Sequence, residues 1–291
     1  MGKLLVIADE GDSCIATSRG LQLAAKLGHD VEVVAFEYEP LDRIARKKSE
    51  QASLKRALLD RREEQVQARI NKFKTPEQKV SLRVVWMEHI HSWVNRRASK
   101  VKFECVVKTG KQSGGLTYTS TDWHLLRETA APVLITSENR WHKTKPVLAA
   151  LDLGTRNRDK QALNGKILAY AKGLANTLGV ELKIISAIEV PTLLADLDLV
   201  DPIAYTKEHR EELMPHLKSL ASTHDVSEKD FKTKRGPVDK VIVSYAARVR
   251  AQIVVLGTVA RQGLSAAIIG NTAEEVLQHL RTDVLALKAD E

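Results

Sequence analysis

Residues whose types and spacing could hold a phosphate stand together in VVLGTVARQGLSAAIIGNTAEEVLQHLRTDVLALK, residues 254–288. An apolar strand leads into a loop carrying Gly257, Gly263 and Gly270, and an amphipathic helix and a second apolar strand follow. Glycines between a strand and a helix let the backbone approach an anion closely. The N–H groups of Asn271, Thr272 and Ala273, opening the helix, would point at it. The same residues have an explanation that needs no ligand. Asn271 is a good N-cap, and Glu274 three residues later completes a capping-box-like pair. Both explanations stand on the residues alone.

Other chemistries find less support. Neither Gly110-Lys111 nor Gly165-Lys166 has a glycine five positions before its own, so no Walker A loop is present, and no carboxylate pair is spaced for Mg²⁺. SGG at 113–115 continues into Leu116-Thr117 after a fourth strand, which is the wrong place for a pyrophosphate loop. His89 and His91 follow the strand 81–86 and could share a face, but no third ligand stands at metal-site spacing. Nucleophile-elbow and Cys-His signatures are lacking. The expectation is a protein without catalytic residues, metal or enzymatic turnover.

A loop of this kind needs a strand to end at it and a helix to start from it, and the chain supplies that arrangement twice. KLLVIAD (3–9) answers PVLAALD (146–152), a strand ending in Asp. LAAKLG (23–28) answers LANTLG (174–179), a helix end closed by glycine. DVEVVAFE (30–37) answers VELKIISAIE (180–189), and APVLITS (131–137) answers TDVLALK (282–288). Apolar strands alternating with helices imply two Rossmann-like α/β domains, each with a five-stranded, mainly parallel sheet and any ligand at the carboxyl ends of the strands. The domains are placed at 1–140 and 141–291, joined through the polar stretch 137–145. Pairing of the two last strands into an intramolecular pseudo-dimer would cover two apolar sheet edges at once.

Composition agrees. Hydrophobic content of 43% and charged content of 28% describe a globular protein. Two cysteines cannot build a disulfide framework, the apolar run at the N-terminus is too short for a signal peptide, and no run approaches membrane-spanning length. A cytoplasmic location without membrane association follows as the expectation. The net charge of +8 lies entirely in the first half: residues 1–145 hold 26 Lys+Arg and 18 Asp+Glu, residues 146–291 hold 19 of each.

The segment 257–281, with the tandem repeat around it, resembles the universal stress protein family, whose signature is Gly-x2-Gly-x9-Gly-Ser/Thr after the fourth strand. The tandem form is similar to the E-type members of bacteria. The resemblance implies a role in the stress response and, in some members, adenine nucleotide binding, so ATP or another phosphate-bearing small molecule is the expected ligand. Residue by residue, Gly257 matches the first glycine, Ala260 the second, Gly270 the third and Asn271 the Ser/Thr. Asp152 matches the aspartate facing the nucleotide, and Ile188 falls near the backbone that contacts adenine. Alanine at a position needing φ > 0 costs roughly 1–2 kcal/mol, which weakens the loop at Ala260. Asn271 is milder, because an amide can also donate to phosphate. In the first repeat, Thr109 and Thr119 stand where glycines would, so that domain is expected to be degenerate and free of nucleotide.

Residues 42–74 hold 11 basic and 5 acidic side chains, with apolar residues at Leu41, Ile44, Leu54, Leu58, Val66, Ile70 and Phe73 near helical spacing. The expectation is a helix lying on its domain with a solvated basic face. A ligand-free interaction protein using this face and the pseudo-dimer surface is the alternative function, and further homodimerisation is compatible with either. Nucleic acid would bind this face at most weakly and non-specifically, with log affinity falling by about 0.9 per neutralised duplex phosphate for each decade of salt. Reversing the charge at Lys47, Lys48, Lys55 and Arg56 is expected to abolish any such binding while leaving the melting temperature unchanged. Fluorescence anisotropy with a duplex at several salt concentrations, beside thermal melts, checks both halves of the expectation.

Overall fold

The computed structural model describes residues 2–110, 120–139, 141–191, 199–258 and 271–289, with Asn271 and Thr272 described by backbone alone. The chain divides into two compact units, the second beginning at Asn139.

Unit one runs β1 (Lys3–Ile7), α1 (Ile15–Leu27), β2 (Asp30–Glu37), α2 (Lys48–Phe73), β3 (Val80–Trp86), α3 (Ile90–Ala98), β4 (Cys105–Thr109), α4 (Ser120–Glu128) and β5 (Val133–Thr136). Its strands lie in the order β3-β2-β1-β4-β5 and pair in parallel. Unit two runs β6 (Val147–Ala150), α5 (Arg158–Leu178), β7 (Leu182–Ile188), α6 (Pro202–Thr223), β8 (Phe231–Arg235), α7 (Val238–Val249), β9 (Ile253–Gly257), α8 (Asn271–His279) and β10 (Asp283–Leu287). Its strands order as β8-β7-β6-β9-β10, again parallel, so each unit places its strands third, second, first, fourth, fifth. This is the doubly wound Rossmann-like arrangement expected of a strand–helix repeat.

The order follows from burial. Leu4, Leu5 and Val6 of β1 and Val147, Leu148 and Ala149 of β6 are fully buried, as an unbroken apolar strand requires when helices cover both faces of the sheet. The outer strand β3 instead alternates, Ser81 and Arg83 facing solvent. Helix ends repeat as closely as strands. Gly28 and Gly179 both adopt φ 67°, and the next residues return their N–H groups to Ala24 and Ala175 at 2.9 and 3.0 Å. Only glycine takes that left-handed turn at little cost.

Helix α2 departs from the amphipathic pattern over 41–73. Val66 and Ile70 are buried, but Ile44 and Leu54 are exposed, and an arginine, Arg62, is buried with them. The helix docks through its C-terminal half only. Arg62, Val66 and Ile70 are spaced four apart and so form the stripe that faces the sheet. Lys47, Lys48, Lys55 and Arg56 are exposed, as a solvated face requires.

Glu32 is the charged residue within the buried run of β2. Arg97 donates Nε to Oε1 at 2.9 Å and Nη2 to Oε2 at 2.8 Å, with Arg83 and Lys3 at 3.6 and 3.9 Å. The hydrogen bond to Glu32 raises the Arg97 pKa above its ordinary value, burial opposing. A carboxylate in this position fastens α3 and β3 to β2 around one point. Glu32→Ala strips a buried charge from three cations that remain partly hydrated, so an unfolding free-energy loss of about 2–3 kcal/mol is expected, measurable by urea denaturation of the two proteins.

Candidate ligand site

In both units the sheet changes direction at its first strand, between β1 and β4 or between β6 and β9. Ligands of open parallel sheets bind at the carboxyl ends of strands flanking such a point. In unit two the register Ala149 with Val255 brings Asp152 and Gly257 to the ends of adjacent strands, and Ile188 ends the strand on the other side. These three candidate residues therefore share one edge of the sheet. Ala260 and Gly270 lie outside the described residues. Asn271 and Thr272 open α8, where the first N–H groups of a helix have no partners within it.

Asp152 is held by its main chain. The Asn164 side chain, buried within α5, accepts from Asp152 N at 3.0 Å and donates to Asp152 O at 2.7 Å. The neighbouring loop is fixed too: Leu153 N donates to Ser186 Oγ at 3.3 Å, and His216 Nδ1 lies 3.0 Å from Leu153 O. The Asp152 carboxylate is left projecting with 56% of its side chain exposed, 3.8 Å from Lys160 Nζ. It is an accessible acceptor, suited to hydroxyl donors. Ile188 is buried, and its carbonyl already accepts from Gly236 N at 3.1 Å. That bond leaves the carbonyl oxygen a second lone pair.

Gly257 has a packing reason to be glycine. A Cβ there would lie 2.5 Å from Leu163 Cδ2 and 3.1 Å from Ile167 Cδ1, so α5 crosses the strand end in near-contact with its backbone. Thr258 then ties back to Leu287 O through N at 2.7 Å and Oγ1 at 3.2 Å, fixing where the glycine-bearing loop departs.

Unit one builds the equivalent place differently. Thr109 stands where Gly257 does, and its Oγ1 together with an Asp9 carboxylate oxygen accepts from Ala16 N, each at 3.0 Å. One oxygen of Asp9 and the hydroxyl of the strand-end residue thus help to start α1. Lys108 Nζ donates to Asp122 Oδ1 at 2.6 Å and to Thr109 O at 2.9 Å, with Asp122 wholly buried in the first turn of α4. From α2, Arg62 Nη2 donates to Asp9 O at 2.7 Å, and Arg69 donates to Asp9 O at 3.2 Å and to Gly11 O.

The two histidines singled out by their spacing, His89 and His91, stand at the start of α3. His89 precedes α3 with no capping bond from its side chain, and His91 stacks on His124 at 4.1 Å between ring centroids. Burial first, then His124, pulls His91 below the ordinary imidazole pKa, against the pull of Glu128. Among the described residues, His, Cys, Asp and Glu form no group of three disposed to hold a metal. Cys105 is inert at neutral pH, because burial pushes its thiol up to about 12. No helix among the described residues is long and apolar enough to cross a membrane.

Sequence reasoning missed Asn164 and Arg62. Each had a signal: a polar residue on the buried stripe of its helix, with Asn164 between Leu163 and Ile167 and Arg62 four before Val66.

Fold and site define a tandem pair of doubly wound α/β domains with strand-end aspartates at the switch points. The model of the universal stress protein family matches residues 144–288. Universal stress protein E of Photorhabdus laumondii is 31% identical over 218 residues, 72% of this chain and 69% of the relative, and that of Salmonella typhi is 28% identical over 298 residues, 99% and 94%. The crystal structure of a functionally unknown Pseudomonas aeruginosa protein matches with TM-score 0.71 at 26% identity, covering 99% of this chain and 92% of that one. A universal stress protein from Archaeoglobus fulgidus shares the fold at TM-score 0.61 and 16% identity. The chain belongs to the universal stress protein family, in the tandem form of the E-type proteins.

The packing of Gly257 gives a test independent of any ligand. Gly257→Ala is expected to cost about 1–3 kcal/mol through overpacking against Leu163, and to cost less when made in a Leu163→Ala background. Thermal denaturation of the double-mutant cycle measures both.

Proposed function

We propose that the protein is a cytoplasmic regulator of the stress response that binds an adenine nucleotide such as ATP, or another phosphate-bearing small ligand, in its second domain, without turning it over. In this proposal residues 1–140 are a degenerate copy of the domain, and residues 141–291 carry the partly retained loop. The observation that carries it is Asp152: a carboxylate projecting beside the switch point from a main chain fixed on both sides by Asn164. Preorganisation of this kind spares a ligand the cost of ordering its own site. Gly257 at the adjacent strand end and the opening N–H groups of α8 complete the edge on which a nucleotide would lie.

The alternative, a ligand-free interaction protein, rests on the exposed basic half of α2. Mass spectrometry of small molecules released from the purified native protein separates the two. A nucleotide or other phosphate ester is the outcome expected, and an empty protein that captures acidic partners in a salt-sensitive way favours the alternative.

Calorimetry with ATP then addresses the residues. Asp152→Ala is expected to weaken binding by about tenfold, the loss of a charged hydrogen-bond acceptor. Ala260→Gly is expected to tighten it by a similar factor, about 1–2 kcal/mol of backbone strain being removed. An unchanged affinity in Ala260→Gly removes the strain argument.

A further inference from the structure

Two short helices of unit one meet through histidines. His91, in the first turn of α3, lies flat against His124 of α4, with ring centroids 4.1 Å apart and planes 12° from parallel. His89, just before α3, comes within 6.1 Å of His91. His124 Nδ1 stands 2.6 Å from Glu128 Oε1, which requires a proton on Nδ1, donated to the carboxylate. The other Glu128 oxygen accepts from Asn95 Nδ2 at 2.8 Å, and Asn95 Oδ1 accepts from Thr129 Oγ1 at 2.7 Å. One acid thus ties α4 to α3 and fixes the face that His124 turns to His91.

This seam matters to α4. Nine residues are too few for a helix to stand alone in water, so α4 relies on what it docks against. Leu125 and Leu126 bury its middle, and Lys108 fastens its first turn by donating to buried Asp122 at 2.6 Å. Its last turn is held by the seam. Helix α3 has its own anchors, since Arg97 grips Glu32 with two hydrogen bonds and Val94 is buried. The end of α4 is therefore the part that depends on the stacked rings.

Stacked imidazoles tolerate one charge better than two. With one ring neutral the faces pack; with both protonated, two cations face each other 4.1 Å apart and Glu128 can offset only one. The titratable groups that act on His91 are His124 and Glu128 from α4 and His89 from its own side. The other ions of the two helices are engaged or turned away: Arg97 with Glu32, Asp122 with Lys108, Arg127 over the Trp123 ring at 5.9 Å, Arg96 in solvent. Burial first and His124 next lower the His91 pKa from its ordinary 6.5, with Glu128 opposing and His89 adding to the fall. A ring of this kind takes its proton more readily once released. The docked seam therefore keeps its full strength above pH 6.5 and loses it as the pH falls from there through the lowered value.

We propose that the His91–His124 pair is a proton-sensitive latch: acidification charges both rings and releases the C-terminal end of α4 from α3. The device is built entirely within unit one and needs no ligand in unit two.

Histidine side-chain NMR on the full chain, assigned with His91→Phe, follows the rings directly. The His91 midpoint is expected below 6.5, and it should rise in His124→Gln, which removes the facing charge while keeping an N–H for Glu128. Hydrogen exchange read by mass spectrometry from about pH 7.5 to about pH 5.5, corrected for intrinsic rates, reports the latch itself. Opening across residues 124–129 should increase by up to about tenfold per pH unit below 6.5, the limit for one proton taken up on release. His91→Phe keeps a flat ring without a charge and should flatten that rise. Should it fail to fold, His124→Gln makes the same test. A His91 midpoint at or above 6.5, a midpoint that His124→Gln leaves in place, or an exchange rise undiminished in the folded variant would each overturn the proposal.

Discussion

A parallel sheet ends its strands in loops whose peptide groups have left the ladder, and each buried one must find a partner. Both units meet that demand just after the first strand with polar side chains from a neighbouring helix. In unit two the Asn164 amide takes the N–H and the carbonyl of Asp152 together. In unit one Arg62 and Arg69 take the carbonyls of Asp9 and Gly11. The two solutions differ in charge, and the difference spreads outward. A neutral amide leaves the adjacent aspartate free to project. A pair of guanidinium groups needs carboxylates near it, and Asp9, Glu10 and Glu37 are the acids that act on Arg62.

The repeat itself was legible in the sequence, because strands ending in Asp and helices ending in Gly are fixed by backbone geometry that no tertiary contact replaces. Gly28 and Gly179 adopt the same left-handed angle 151 positions apart. Parallel pairing followed from the unbroken apolar runs of β1 and β6 and from the strand–helix alternation.

The chemistry around those elements was less legible. Periodicity marks which residues face inward but assumes that they are apolar, so Arg62 and Asn164 passed as ordinary polar positions although each sits on its helix's buried stripe. The same assumption placed Ile44 and Leu54 against the domain, where the structure exposes them. Gly257 shows the complementary difficulty. Its residue type suited a phosphate loop, and its surroundings give it a second task, admitting the side chains of Leu163 and Ile167 to the strand end. One residue can answer two demands, and sequence alone does not separate them.

The grip of Asn164 on Asp152 reaches only main-chain atoms. Every amino acid except proline offers the same N–H and carbonyl, so the loop keeps its shape whatever side chain stands at position 152. Architecture and chemistry are thereby uncoupled at the point where a ligand would dock. Such a junction is forgiving to drift: a lineage can exchange the group presented there, and with it the molecule recognised, without first rebuilding the scaffold. Unit one lacks that freedom, since the Asp9 carboxylate itself helps to start a helix. Of the two units, the second is the more open to innovation.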